Sequence, residues 1–281
     1  MVSAESLTTV AARRDDTMRP SLRLWAMVEY DGTDFFGFQI QSQGRTVQGE
    51  LERALERVSG KATRVTGAGR TDRGVHAQGQ VVSFEVEWRH ELAELHRALN
   101  AVLAGDLALL KMGLASVDFH PRFSAMRRAY RYTILNRPWP SPIERRGAWH
   151  IPGKFEIGRM GEASQCLVGT HDFAAFGRPP QGENTVRTVV RAEWQKQSTH
   201  LTFDIEANAF LYRMVRSIVG TLVLVGLGQL SLKEFEMILH DRDRSKIKKV
   251  APAQGLCLMR VDYAKHEGVC GEDFYGKDSR N

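Results

Sequence analysis

Val186-Arg187-Thr188-Val189-Val190-Arg191-Ala192-Glu193-Trp194-Gln195 is followed, after a four-residue gap, by His200-Leu201-Thr202-Phe203-Asp204-Ile205-Glu206-Ala207. Both runs read as strands, rich in β-branched and aromatic residues. In the second, Leu201, Phe203, Ile205 and Ala207 alternate with polar positions. Two strands this close in sequence leave no room for a helix between them and pair antiparallel. A doubly wound parallel sheet, which needs a helix after each strand, is thereby disfavoured. The predicted class is α+β, with a mixed, largely antiparallel sheet flanked by helices.

The rest of the chain interleaves strands and helices. Leu24, Ala26, Val28 and Tyr30 alternate with Arg23, Trp25, Met27 and Glu29, a strand that ends at the Asp31-Gly32 turn. Thr46 is placed to cap a helix whose Val47, Leu51, Ala54, Leu55 and Val58 share a face. Val82, Phe84, Val86 and Trp88 mark a strand, Leu92 to Leu103 a helix, and Leu107 to Leu114 another strand. Tyr130, Tyr132 and Ile134 alternate against Arg131, Thr133 and Leu135, before Pro138, Pro140 and Pro142 open a loop. Helices are predicted over Ile157–Val168 and roughly Phe210–Val225, and a last strand over Leu256–Tyr263. On the second helix Arg216 is expected to share a side with Tyr212, Arg213 and Gly220. The layout suggests two similar halves, 21–125 and 126–264. Residues 1–20 read as a flexible tail, within which Met18 is an alternative start, and residues 265–281 as a loose one.

The chain has 281 residues, enough for one large or two medium domains with a real core. Hydrophobic residues make up 42% and charged residues 26%, ordinary for a globular protein. The formal charge of +6 favours a polyanionic partner without proving one. Three cysteines, Cys166, Cys257 and Cys270, form neither a metal-binding spacing nor an even set. Reduced thiols in a cytoplasmic protein are the simple reading. The apolar stretch Ile218–Leu227 is too short for a membrane span and contains Gly220, Thr221 and Gly226. The charged N-terminus lacks a secretory h-region.

Chemistry concentrates in Gly67-Ala68-Gly69-Arg70-Thr71-Asp72-Arg73-Gly74-Val75-His76-Ala77. Three glycines in eight residues mark a tight turn. It lacks the order of a dinucleotide fingerprint and the GK[ST] tail of a phosphate loop. Its single carboxylate lies between two arginines. One reading is a turn whose Asp caps backbone N–H groups, and spacing alone favours it. The other is an ionised acid, held charged by nearby guanidinium groups and ready as nucleophile or base.

The run from Gly69 to Ala77 resembles the GRTDxGVHA signature of the tRNA pseudouridine synthase A family. Further blocks resemble that family in the same order: Tyr30-Asp31-Gly32-Thr33 with Gly37-Phe38-Gln39; Thr46 to Glu52; Phe119 to Ala125 followed by Tyr130-Arg131-Tyr132; His171-Asp172-Phe173; Asn208 to Arg216; and Ala251 to Leu256. Together they extend over about residues 22–264. Phe38 stands where the family has Trp, Gln254 where His is common, and Arg73 where a small residue is frequent.

The resemblance implies two ferredoxin-like halves that share a sheet, with a catalytic cleft between them. It implies an isomerase that breaks the uracil N1–C1′ bond and rejoins the ring through C5, with no cofactor and no metal. Asp72 matches the essential aspartate, as nucleophile or as base at the ribose. Tyr130 matches the active-site tyrosine that stacks on the base, although periodicity alone would make it a core residue beside Tyr132. Arg216 matches the basic residue expected to pair with Asp72, and Arg70 the residue that displaces the target uridine. Thr71, Arg213 and Leu256 are expected to contact substrate, with Leu258 also near the pocket. His76 reads as a turn or core histidine. Arg122, Arg127, Arg128, Arg131, Arg137, Arg145, Arg146, Arg187, Arg191 and Arg213 are candidates for a phosphate groove. The run Arg242, Arg244, Lys246, Lys248 and Lys249 is a further contact or a solvated surface. The implied partners are tRNA, modified at positions 38, 39 and 40 of the anticodon stem-loop, and a second copy of the chain. A related synthase with other RNA targets and a non-catalytic RNA-binding module are the rival readings.

Overall fold

A computed structural model describes residues 21–180, 182–264 and 269. The expected tails, and with them Met18, lie outside those residues, apart from position 269. The strands are β1 (Ser21–Tyr30), β2 (Thr66–Gly67), β3 (His76–Glu87), β4 (Leu107–Leu114), β5 (Ala125–Leu135), β6 (Trp149–His150), β7 (Gly169–Asp172), β8 (Val186–Gln197), β9 (His200–Ala207) and β10 (Leu256–Tyr263). The helices are α1 (Val47–Ser59), α2 (Leu92–Val102), α3 (Ile157–Gln165), α4 (Met214–Gly226) and α5 (Leu232–Asp241).

The hairpin that decided the class is present: β8 pairs antiparallel with β9, from Val189 opposite Ala207 to Gln197 opposite His200. One mixed sheet runs β4-β1-β3-β10-β5-β9-β8-β7, with β2 on β3 and β6 on β5. Along this order only β3 and β10 run parallel, with Cys257 opposite His76 and Leu258 opposite Ala77. The last strand thus forms the seam, parallel to β3 on one side and antiparallel to β5 on the other. The architecture is α+β.

Two apolar cores flank the seam. One gathers β1, β3, β4, α1 and α2, including Leu24, Val47, Leu55, Phe84, Leu95 and Leu99, together with Leu258 and Val261 from β10. The other gathers α3, α4, α5 and the strands from β5 onward, including Tyr132, Met160, Phe203, Ile218, Leu222 and Phe235, with Leu256 from β10. Successive buried residues of one strand, Leu256 and then Leu258 and Val261, therefore serve the two cores.

Local signals explain most element ends. Thr46 accepts a hydrogen bond from Gly49 N and starts α1, and Gly60 in the left-handed region ends it. Ser231 and Glu234 form a reciprocal capping box at the start of α5, a helix that periodicity missed although its S-x-x-E signature is in the sequence. Helix α3 stops at Gln165, three residues short of the expectation, as the chain turns toward Gly169. Helix α4 begins at Met214 and not at Phe210, because Tyr212 forms a bridge to Arg178 and Arg213 sits in the left-handed region (φ 61°). Tyr212 and Arg213 thus precede the helix and do not share its face with Arg216. Among the described residues no helix is long and apolar enough to cross a membrane.

Candidate active site

The Asp72 loop joins β2 to β3. Val75 N donates to Asp72 O at 3.1 Å, and Gly74 between them has φ +78°. That positive φ at the third turn position requires glycine. The Asp31-Gly32 turn presses on the same loop: a Cβ at Gly32 would lie 2.0 Å from the Val75 carbonyl oxygen, so only glycine lets the segments meet. Phe38 N donates to Thr71 O at 3.1 Å and closes a third side. The loop is therefore held by backbone contacts from the first family-like block.

The fourth side is built by α4. Arg216 Nη1 donates to Asp72 Oδ2 at 2.9 Å, across 144 residues of chain, and its Nε donates to Ala251 O at 2.8 Å. Ala251 N in turn donates to Arg216 O at 2.9 Å. Arg216 is thus tied to Ala251 through both its backbone and its guanidinium before it reaches the acid. Both side chains are mostly buried, with Asp72 16% and Arg216 15% exposed. Among the described residues, no group donates to Asp72 Oδ1, which leaves that oxygen available to a substrate atom. This geometry is that of an aimed carboxylate, and the capping-turn reading does not describe it.

Tyr130 stands where β5 reaches the site. Its neighbours Tyr132 and Ile134 are wholly buried in the core, whereas Tyr130 borders the cleft and meets Phe210 edge-to-face with ring centroids 5.1 Å apart. Burial, with help from the nearby Tyr30 and Asp72, pushes its hydroxyl pKa upward and keeps the phenol protonated.

Asp72 and Tyr130 line one cleft of about 1290 Å³, together with Arg70, Arg213, Arg216 and Leu256. Among its described lining residues are nine arginines and a single carboxylate, Asp72. A chain of modest net charge thus concentrates its positive potential in one place. Arg70 and Arg73 are exposed, and Arg73 lies over the Phe36 ring at 4.1 Å. Arg213 is exposed and stacks on Tyr212 at 5.0 Å. Its left-handed backbone is the kind of local strain found at functional sites. Thr71 is buried, and its hydroxyl bonds to Tyr30 Oη at 2.8 Å. Its hydroxyl therefore anchors the loop from behind.

Other expectations need correction. Leu258 is not among the cleft residues; it belongs to the core beneath β1 and β3. Arg127, Arg131 and Arg191 lie away from the cleft, because strand alternation sends them to the other face from Arg128 and Tyr130. There Arg131 forms a fork with Asp204 (2.7 and 3.0 Å), while Arg127 and Arg260 pair with Glu206. Arg137, Arg145 and Arg146 do not line the cleft either, and Arg146 pairs with Asp31 at 3.5 Å. The run from Arg242 to Lys249 lies outside this cleft, which leaves both a further contact and a solvated surface open. His76 bridges three segments: Nδ1 accepts from Gly32 N at 3.0 Å, and Nε2–H is directed at Arg146 O (2.7 Å) and Gln254 O (3.1 Å). Arg64 and Arg178 line the cleft without having been anticipated. Neither belongs to a motif, and only the fold brings them there. Arg128 donates to the carbonyls of Ala68, Arg122, Ala125 and Asn208, tying three loops of the cleft together.

An aimed acid beside a protonated phenol, deep in an arginine-lined cleft on a mixed α+β sheet, describes an enzyme acting on a polyanion. The family model described as tRNA pseudouridine synthase matches residues 26–124 and 163–264. A tRNA pseudouridine synthase A of Roseiflexus sp. (strain RS-1) is 43% identical over 240 residues, covering 84% of this chain and 88% of its own. One from Chloroflexus aurantiacus (strain ATCC 29366 / DSM 635 / J-10-fl) is 45% identical over 243 residues, covering 84% and 87%. One from Thermoanaerobacter sp. (strain X514) is 42% identical over 238 residues, covering 84% and 98%. The chain belongs to the tRNA pseudouridine synthase family and is an isomerase of that kind.

Proposed function

We propose that this chain converts uridine to pseudouridine in tRNA, at positions 38, 39 and 40 of the anticodon stem-loop. The observation that carries the reading is the Asp72–Arg216 pair inside a cleft whose remaining described charges are arginines. Phosphates on a folded RNA meet the guanidinium groups, and the target base leaves its stack to reach the floor of the cleft. Arg70, exposed beside Asp72, takes the space of the displaced base. Tyr130 stacks on the uracil, and Leu256 packs against it. Asp72 Oδ1 acts at the ribose as nucleophile or as base. The N1–C1′ bond breaks, the ring turns within the pocket, and a C5–C1′ bond forms. N1 gains a proton as C5 loses one, so atoms and charge balance. Arg216 keeps the carboxylate aimed throughout, and the protonated Tyr130 hydroxyl stands within the same cleft to take part in proton movement.

The chain works in the cytoplasm as a homodimer. A second cavity, about 460 Å³ and lined by strand residues alone, marks a sheet face without helices on which a second copy can pack. We propose a division into 21–125 and 126–264; the presence of two apolar cores supports it, with β10 contributing to both. Light scattering on the purified protein tests the dimer, and a monomeric mass at micromolar concentration ends that part of the proposal.

The test of function is tritium release from unmodified tRNA labelled at uridine C5, followed by mapping of the product. Release from positions 38 to 40 is expected. Release elsewhere favours a related synthase with other targets, and RNA binding without release favours a non-catalytic module.

A further inference from the structure

The loop Phe119–Ala125 has no part in the chemistry above, yet its tip, Phe123, projects into the cleft with 73% of its surface exposed. A single exposed phenylalanine is ordinary on a protein surface. This one is held in place from behind. The His120 imidazole Nδ1 accepts from both Arg122 N (3.1 Å) and Phe123 N (3.3 Å). Ser124 closes the loop from the other side: its N donates to His120 O at 2.9 Å, and its Oγ accepts from His120 N at 3.2 Å. Tyr263 Oη donates to Pro121 O at 2.7 Å, and Arg128 Nη2 to Arg122 O at 2.6 Å. Every residue from His120 to Ser124 is thus tied by at least one hydrogen bond, while the Phe123 ring stays mostly exposed.

Two groups lie against the ring. His120 lies against it with centroids 4.3 Å apart and a tilt of 35°. With both backbone donors on Nδ1, the proton sits on Nε2, and burial together with Arg122 and Arg23 disfavours the charged imidazole. The backing group is therefore a neutral aromatic, suited to extend a stack. The Arg122 guanidinium lies over the same ring, 5.5 Å from its centroid, a long cation–π contact that an incoming base would displace.

We propose that Phe123 is a stacking platform for an unpaired nucleobase adjacent to the extruded uridine, with the His120 ring continuing the stack. The inference rests on the RNA reading of the cleft. It assigns to Phe123 a task distinct from that of Tyr130: holding the flank of the loop while the target turns. Fixing the ring in advance lowers the ordering cost of binding. Stacking is tolerant of base identity, so the platform accepts loops of varied sequence.

The experiment compares full-length wild type, Phe123→Ala and Phe123→Trp. Loss of one stacked base predicts binding of unmodified tRNA weakened about ten- to a hundredfold in Phe123→Ala, and near-wild-type binding in Phe123→Trp. The thermal midpoint is unchanged, since the ring is not part of a core. The slope of log affinity against log salt is unchanged too, since no phosphate contact is removed. Quenching of 2-aminopurine placed beside the target uridine disappears in Phe123→Ala and persists in Phe123→Trp. The inference is overturned if wild type makes pseudouridine in tRNA and Phe123→Ala binds and turns over within about threefold of it. It is overturned equally if the lost affinity is not restored by Trp. If wild type itself neither binds nor modifies tRNA, the functional reading fails first, and that outcome is seen in the control.

Discussion

Arg216→Gln removes a charge and the Nη1 donor from a pair at 2.9 Å while keeping the apolar stem. Two unit charges at that distance attract by roughly 6 kcal/mol at an effective dielectric of about 20. Desolvation offsets much of this, and removing one partner of a fully buried pair costs about 3–5 kcal/mol. With both side chains about one-sixth exposed, the effect on the aimed carboxylate is expected to be about 2–3 kcal/mol, or roughly 30- to 150-fold in rate. The assay is single-turnover pseudouridine formation with enzyme in excess, alongside equilibrium binding of the same tRNA. Rate falls by that factor, whereas affinity changes little, because one cationic group among nine in the cleft is lost. Arg216→Lys is intermediate: it restores a charge, but a single ammonium group lacks the fork that holds Ala251 O and Asp72 Oδ2 together. A rate within about threefold of wild type, or a loss confined to binding, refutes the argument that this guanidinium aims the acid.

Asp72→Ala is expected to abolish tritium release and leave tRNA binding largely intact; residual turnover at wild-type order contradicts its assignment. Affinity for tRNA falls steeply with salt, with a log–log slope steeper than about −3 if at least four arginines meet phosphates, and a flat profile in the same titration removes the cleft as the RNA site. Tyr30→Phe deletes the buried bond to Thr71 (2.8 Å), lowering stability by about 1–2 kcal/mol and turnover more than KM, as read from urea melts and steady-state kinetics. His120, whose pKa burial and nearby arginines depress in the folded state, binds its proton more readily when unfolded. Its contribution to stability is therefore full above the ordinary histidine pKa of about 6.5 and declines as pH falls below it, so His120→Asn should flatten the acid side of the stability–pH curve.

Much of the proposed site was legible before folding, through resemblance more than through local pattern. Asp72, Tyr130 and Arg216 were singled out by short ordered blocks that resemble a family, whereas spacing and periodicity alone favoured a capping Asp72 and a core Tyr130. The hairpin of β8 and β9, the Thr46 cap and the alternation of β5 are local. Misreadings arose where distant contacts override local pattern. The apolar period through Phe210–Val225 is real, but the Tyr212–Arg178 bridge delays α4 by four residues. The arginines of β5 were read as one groove, yet alternation splits them between cleft and ion-paired sheet face.

The amino-acid order by itself determined the family-like blocks and the periods of most strands and helices, since those depend on neighbours within a few positions. Only the tertiary structure decided that β10 enters between β3 and β5, and that Arg216 reaches an acid 144 residues away. The same holds for nine arginines converging on a single cleft. Those outcomes arise from burying two cores on one sheet, a global balance of apolar burial against chain entropy that no local window of residues contains.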